Sequence, residues 1–379
     1  MDQMQSTQLW SYLEMVPDPR QRRGKRYEWT FLLAIICIGL ACGQRTVWAI
    51  WQWARLHEAK ILKALAPRYP HIPSAITLYR ALQGVDVEAL DKEVGAYSQS
   101  IASWLAAQET SEHWPGVAVD GKEIRGAAQH GPKVHLVSLV THGSGLALAQ
   151  RRVAEKAYEP DALCQMLEGQ DLRGIVITMD ALYTHADIAQ RILDRGGHYF
   201  MMVKGNQPGL RDDIAYLFSQ RPAPGEARWE CTPSDKGHGR LEERHVVSSE
   251  ALNGYLGWPQ VGQVLQRTCT QTRPGKGVSQ NTSWAITSLT HAQASVEELG
   301  LLWRAHWVIE NRVHYVRDET LGEDRGQIAK GHAPHALASL RNALLSALRG
   351  RGWTSIAQAL RFFAANINDS IQLSLEVLA

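Results

Sequence analysis

Two aspartates share one description in this 379-residue chain. Asp120 ends the apolar run Val117-Ala118-Val119 and is followed at once by Gly121, and Asp180 ends the run Ile175-Val176-Ile177-Thr178-Met179. Runs apolar on both faces read as strands buried in the middle of a sheet. An acid there is costly to bury unless a metal or a cation meets it. If the strands are neighbours, both carboxylates emerge at one sheet edge and repel unless a cation sits between them. Oxygen donors of this kind suit Mg²⁺ or Mn²⁺. Two such ions, about 4 Å apart, handle phosphodiester displacement and call for a further acid. Taken singly, each aspartate is equally compatible with a solvated turn.

The best candidate for the third acid is Glu310. In a helix spanning 299–318, Trp303, His306, Trp307 and Glu310 fall on one face, which His314 and Arg317 continue. An acid among aromatics, histidine and arginine differs from an ordinary solvated position, although a surface ion pair is the bland alternative. Glu319, Glu323 and Asp324 are rivals, and with Asp318 they read as a solvated segment or a supporting shell. Basic residues flank each acid. Lys122 and Arg125 follow Asp120; Lys204 and Asn206 follow the last sheet strand; Arg304, Arg312 and Arg317 surround Glu310, with Arg325 beyond. Such cations contact the phosphates of a nucleic-acid strand. His238 and Arg240 lie in a glycine-relaxed turn, and Tyr183 and His185 follow Asp180 as supporting, capping or core groups.

The elements that position these residues divide the chain into four segments. Residues 1–110 read as helical. They hold a basic run at 20–26, a 12-residue apolar helix at 31–42 and Ser74 as the N-cap of a short helix. That short helix, with Thr77, Tyr79 and Arg80, follows a helix and a turn, the order of a helix-turn-helix. Residues 111–218 read as three strands, helix, strand, helix, strand, with Gly143-Ser144-Gly145 turning a hairpin. That is the order of an RNase H-like mixed sheet flanked by helices, an α/β architecture. Residues 219–292 read as a β-rich insertion, and residues 293–379 as C-terminal helices completing the core.

Bulk composition is that of an ordinary globular chain, with ample core. A net charge of +2, with 15 His uncounted, permits a nucleic-acid partner without demanding one. Five scattered Cys without CxxC spacing argue against a disulfide framework or structural zinc and suit a reducing cytoplasm. The polar opening MDQMQSTQ is unlike a signal peptide, and the apolar helix is too short to span a bilayer. Neither GxSxG, a P-loop, a dinucleotide fingerprint nor HExxH occurs.

Several strings together resemble the H-repeat-associated insertion-sequence transposases, a branch of the DDE superfamily. They are DGKEIRGA (120–127), TMDALYTH (178–185), VKGNQP (203–208), GHGRLEER (237–244), RAHWVIEN (304–311) and GEDR (322–325), in the family's order. DPR…GKRY near the start is similar to the family's associated domain, and the resemblance extends from about 10 to 350.

The resemblance implies an RNase H-like core with a β-strand insertion, and a catalytic and metal-binding triad of Asp120, Asp180 and Glu310. The broad Tyr, Arg, Glu, Lys signature of the last helix reads here Trp303, His306, Glu310 and Arg317. The implied activity is two-metal DNA cleavage and strand transfer at the ends of an insertion sequence. The implied partners are the element's terminal inverted repeats and target DNA, met by a homodimer. Lys122, Arg125, Lys204, Asn206, His238, Arg240, Arg304, His306 and Arg317 are the candidates for contacting DNA. A hairpin intermediate would call on a base-flipping aromatic such as Trp258 or Trp284. Two alternatives keep the same residues: a transposase-derived DNA-binding protein without activity, and a metal-dependent nuclease without strand transfer. The expected place of action is the bacterial cytoplasm, at the nucleoid when DNA is bound.

Overall fold

The computed structural model describes residues 8–21, 25–108, 113–237, 239–273, 275 and 277–375. Six helices come first: α1 (Leu9–Met15), α2 (Trp29–Ala41), α3 (Val47–Leu56), α4 (Glu58–Leu65), α5 (Ala75–Gly84) and α6 (Val87–Ala106). Strand β1 (Gly116–Glu123) leads through the short α7 (Arg125–Ala128) to β2 (His135–Thr141) and β3 (Ala147–Val153). Then come α8 (Glu159–Leu167), β4 (Val176–Met179), α9 (Ala186–Leu193), β5 (His198–Val203) and α10 (Pro208–Ser219). The β-rich stretch holds β6 (Arg228–Cys231), β7 (Ser234–Gly237), β8 (Arg240–Ser249), β9 (Gln263–Arg273) and β10 (Gly277–Thr287). After α11 (Val296–Ala305) come two π-helical segments, Ile309–His314 and Val316–Thr320, then α12 (Ala333–Gly350), α13 (Ile356–Ala365) and α14 (Ile367–Leu375).

By packing, the chain makes two compact units. One comprises Met1–Thr110, Gly121–Tyr158 and Val308–Ala379, and the other Ser111–Asp120 and Glu159–Trp307. The four segments expected from sequence run along the chain, whereas these units gather stretches distant in sequence.

In the first unit, α2 is apolar along its whole length, and its residues from Phe31 to Ala41 are buried. A helix apolar all round has to be enclosed, and α1, α3, α5, α12, α13 and α14 enclose it. Their side chains form one continuous core from Leu9 to Leu373. Ser74 caps α5 through the Thr77 N–H at 3.2 Å, as the sequence indicates. Its buried face is Ala75, Leu78, Ala81 and Leu82, and Ile76 is 62% exposed. Strands β2 and β3 pair antiparallel around the Gly143-Ser144-Gly145 turn, where Gly145 takes φ +72°. Helix α6 crosses β3 so closely that a Cβ on Gly95 would lie 2.6 Å from the Leu148 carbonyl oxygen.

In the second unit a mixed sheet runs in the order β1-β4-β5-β10-β9-β8-β6, with β7 added on β8. Strands β1, β4 and β5 are parallel, with α9 as the crossover between β4 and β5, while β10, β9 and β8 pair antiparallel. The β-rich stretch therefore extends the sheet from β5 outward. Val246, Leu265 and Ala285 on its inner end pack with Leu299, Leu302 and Trp303 of α11. Among the described residues, no helix is long and apolar enough to cross a membrane.

Replacing Gly95 should test the α6–β3 contact, because alanine is the better helix former. The clash outweighs that gain, so Gly95→Ala should lower stability by about 1–3 kcal/mol in denaturant unfolding. Unchanged or raised stability would show that the helix can move away from the strand.

Candidate active site

In the second unit the parallel pairing of β1 and β4 fixes the two aspartates. Val117 lies beside Ile177, Ala118 beside Thr178 and Val119 beside Met179. The next residues are Asp120, which β1 carries on past to Glu123, and Asp180, just beyond β4, so the two lie side by side, about 5 Å apart at the backbone. The strand residues before them are buried, whereas Asp120 and Asp180 are only partly covered.

After β4 the chain makes a tight turn over Ala181–Tyr183, with the Tyr183 N–H donating to the Asp180 carbonyl at 3.0 Å. Lys204, just past β5, places Nζ 2.7 Å from one Asp180 carboxylate oxygen and 3.1 Å from the other. Burial opposes the charge on Asp180. The Lys204 ammonium, the Ala181 N–H and His306 outweigh it and hold the carboxyl below its usual range. Asn206 donates Nδ2 to the Ala181 carbonyl at 2.6 Å, and Gln207 donates to the Thr184 carbonyl at 3.0 Å. The Lys-Gly-Asn-Gln turn thus straps the turn that carries Asp180.

Behind the aspartates, the Tyr183 hydroxyl donates to the carboxylate of Glu159, which is 1% exposed. Burial first, then Glu159, Asp120 and Asp180, raise the Tyr183 pKa and keep it protonated. The sequence marks Tyr183 as a candidate supporting group but does not mark Glu159, which begins α8. An acid in a first helical turn is ordinary, so nothing in the sequence marks it. His185 caps nothing with its side chain; its Nε2 meets the Leu182 carbonyl at 3.1 Å.

His306 corrects an expectation. It is buried, its Nδ1 lies 3.0 Å from the Thr178 hydroxyl, and burial pushes its pKa down to about 4. A neutral, enclosed imidazole cannot serve as a phosphate cation. Thr178 and Asp180 share one side of β4 by alternation, so His306 packs on the strand that presents Asp180. The expected stripe over Trp303, His306, Trp307 and Glu310 is also broken. Helix α11 ends at Ala305, and Trp307 is 61% exposed while Trp303 is 2% exposed. Elsewhere in this unit Arg304 pairs with Asp235 at 2.8 Å and Arg240 with Glu242 at 3.3 Å. His238 lies outside the described residues.

In the first unit Glu310 sits in the first π-helical segment, half-exposed, 3.2 Å from Nδ1 of the buried His314. Its pKa is lowered, by the His314 hydrogen bond above all, with help from Lys122 and Arg125. π-Helical turns are rare and gather at functional sites. Beyond it, Arg317 is fully buried and donates from Nε and Nη2 to Glu323 at 3.1 and 2.8 Å, and from Nη1 to Gln150 at 3.1 Å. Arg341 donates to the same Glu323 at 3.0 Å. Arg317 is therefore a buried structural cation, against the expectation that it contacts DNA. Lys122 departs in the same way: it is 8% exposed, with Nζ 2.5 Å from Asp318 and 3.6 Å from Asp324. Nor is Glu323 solvated, at 2% exposure. Arg125 stays exposed, its side chain 4.0 Å from Asp324. In the basic run, Asp18 holds Arg20 at 2.8 Å and Lys25 at 3.2 Å; Arg22 and Arg23 lie outside the described residues.

Residues 114–346 match the family model described as Transposase DDE domain, and residues 10–98 match the one described as DDE_Tnp_1-associated. The chain is 26% identical over 359 residues to YncI of Escherichia coli O157:H7, named as a candidate transposase, covering 90% of this chain and 87% of YncI. It is 22% identical over 352 residues to YhhI of Escherichia coli K12, named as an H repeat-associated candidate transposase, covering 91% of each. A cryo-EM structure of a piggyBac transposase synaptic complex with hairpin DNA aligns at a TM-score of 0.43 and 10% identity, over all of this chain and 80% of that one.

The Arg317–Glu323–Arg341 cluster makes a pH prediction. Burial alone would raise the Glu323 pKa, but the two guanidiniums prevail and bring it from 4.5 to about 2. A folded-state pKa below the unfolded value stabilises fully above about pH 4.5, and that stability drains away toward about pH 2. Glu323→Gln strands two buried cations, so it should cost about 3–5 kcal/mol at neutral pH. Its unfolding free energy should also vary less with pH than the wild type's across that window. Parallel pH profiles would remove Glu323 as the source.

Proposed function

This chain belongs to the Transposase DDE domain family, and from that premise we propose that it cuts and joins DNA at the ends of an insertion sequence, using Asp120, Asp180 and Glu310. The observation that carries the proposal is the register of β1 on β4, which sets Asp120 and Asp180 beside each other, each one residue past the last parallel pair. The donor set fits a divalent ion. Asp120 and Asp180 are hard oxygen donors from rigid strands, and Asp180 is held ionised. Glu310, the third acid that the family resemblance implies, is likewise held below its usual range by His314, and oxygen donors of this kind suit Mn²⁺ as readily as Mg²⁺. We assign Asp120, Asp180 and Glu310 as the residues that would hold two such ions. When bound, these ions supply Lewis-acid stabilisation of the attacking and leaving oxygens in a phosphodiester displacement.

The remaining work falls to the protein's own groups. Lys204 keeps Asp180 charged and exposes its ammonium where a DNA phosphate would lie. Asn206 and Gln207 hold the turn after Asp180 in place, and the neutral His306 packs against β4 without adding a competing charge. Arg125 and Arg304, both largely exposed, are the cations we assign to the DNA backbone. Joining two element ends calls for two copies of the site, hence a dimer on DNA, acting at the nucleoid in the cytoplasm.

A cleavage assay on DNA carrying the element's ends, in Mg²⁺ or Mn²⁺, tests this reading. Asp120→Ala, Asp180→Ala and Glu310→Ala should each bind DNA yet lose cleavage on the order of a thousandfold, about 4 kcal/mol of transition-state stabilisation. Full cleavage by any of the three would remove that residue from the mechanism. Cleavage without joined products would mark a nuclease instead.

A further inference from the structure

Arg267, on β9 in the second unit, is poorly explained as a structural residue. Its guanidinium lies 4.4 Å from the centroid of the Trp303 ring, stacked on the indole. Among the described residues it makes no hydrogen bond and no ion pair, and its Nε is buried without a partner. A guanidinium carries five N–H donors, and each buried donor left unmet costs about 1–3 kcal/mol.

The neighbourhood is built for an anion. By strand alternation Arg267, Cys269 and Gln271 face one side of β9, and the register places Arg244 across from Cys269 and Asn281 beyond it. With Glu242 they line a cavity of about 310 Å³ on the face of the sheet. Arg244 is held by Asp235 at 2.5 Å and Glu242 at 2.7 Å; Arg304 shares Asp235, and Arg240 shares Glu242. Three guanidiniums, those of Arg244, Arg304 and Arg240, thus divide two carboxylates, and Arg267 pairs with neither. Burial lowers its pKa, which an anionic ligand would reverse.

We propose that this cavity binds a phosphate of a DNA strand, with Arg267 presented by its stack on Trp303. A planar fork of donors matches two phosphate oxygens at once. The amides of Gln271 and Asn281 suit the phosphate and sugar oxygens beside them. Apart from Cys269, the side chains that line the cavity are polar or charged. The proposal deepens the DNA-processing reading and rests on it.

The test is a salt series of binding isotherms, with full-length protein, random-sequence duplexes and EDTA in place of metal. Arg267→Gln should weaken binding about tenfold for every duplex and lower the slope of log K against log salt by about one. Asn281→Asp, on an exposed strand position, should weaken binding in the same direction without loss of packing. If Arg267→Gln does not fold, Asn281→Asp and Gln271→Glu decide. Wild-type affinity and slope in folded variants would overturn the proposal, as would absence of DNA binding by the wild type. Inorganic phosphate is the second probe. Displacement of DNA no stronger than chloride gives at equal ionic strength supports a strand as occupant, and displacement well beyond it would mark a free-phosphate site and overturn the assignment. Parallel cleavage assays separate the two readings. Wild-type cleavage with unaltered binding by the variants sinks the phosphate site alone, and weakened variant binding without any cleavage sinks the catalytic reading alone.

Discussion

Everything proposed for the catalytic centre depends on the parallel register that sets Asp120 and Asp180 beside each other. Parallel pairing of β1 with β4 gives Asp120 and Asp180 the same height on neighbouring strands, with buried valine, isoleucine and methionine beneath them. Paired strands hold that spacing fixed, and a cation nearby favours the ionised carboxylate. Lys204 supplies one directly to Asp180. A bound divalent ion is the natural source of another, and the fixed spacing of the strands pre-organises its donors.

The opposite economy governs the interior of the first unit. There Glu323 accepts from both Arg317 and Arg341, while Gln150 takes the remaining Arg317 donor and shares an oxygen with Asn342. A buried guanidinium is tolerable only when it is paired, and Arg317 is paired with Glu323, in the turn after the second π-helical segment, and with Gln150 of β3. The network fixes the segment that follows Glu310, and it explains why the cation at 317 has no reach toward solvent.

Much of the fold was legible in the sequence. The hairpin at 143–145, the crossover helix before β5 and the enclosed helix α2 follow from glycine placement, apolar runs and period alone. What escaped depended on partners far away in the chain. Lys122 looked like a phosphate contact because Asp318 lies nearly two hundred residues beyond it. Arg317 looked surface-directed because neither Gln150 nor Arg341 is near it in sequence. The break after Ala305 and the π-helical segments were invisible because helix-forming residues run on through both, so the expected face through Trp307 could not be told from a continuous one. Glu159 was missed for the plainest reason, that acids are common in first helical turns. Asp120, Asp180 and Glu310 were read from their settings, and the parallel register puts the first two side by side.

Metal binding, measured apart from any reaction, bears most directly on the claim that paired strand-end carboxylates form an ion site. Mn²⁺ titrated into full-length protein and followed by electron paramagnetic resonance should reveal saturable binding. Asp120→Asn and Asp180→Asn should each weaken it by at least about tenfold, with the fold intact by circular dichroism. Equal Mn²⁺ affinity in wild type and both variants would contradict the account.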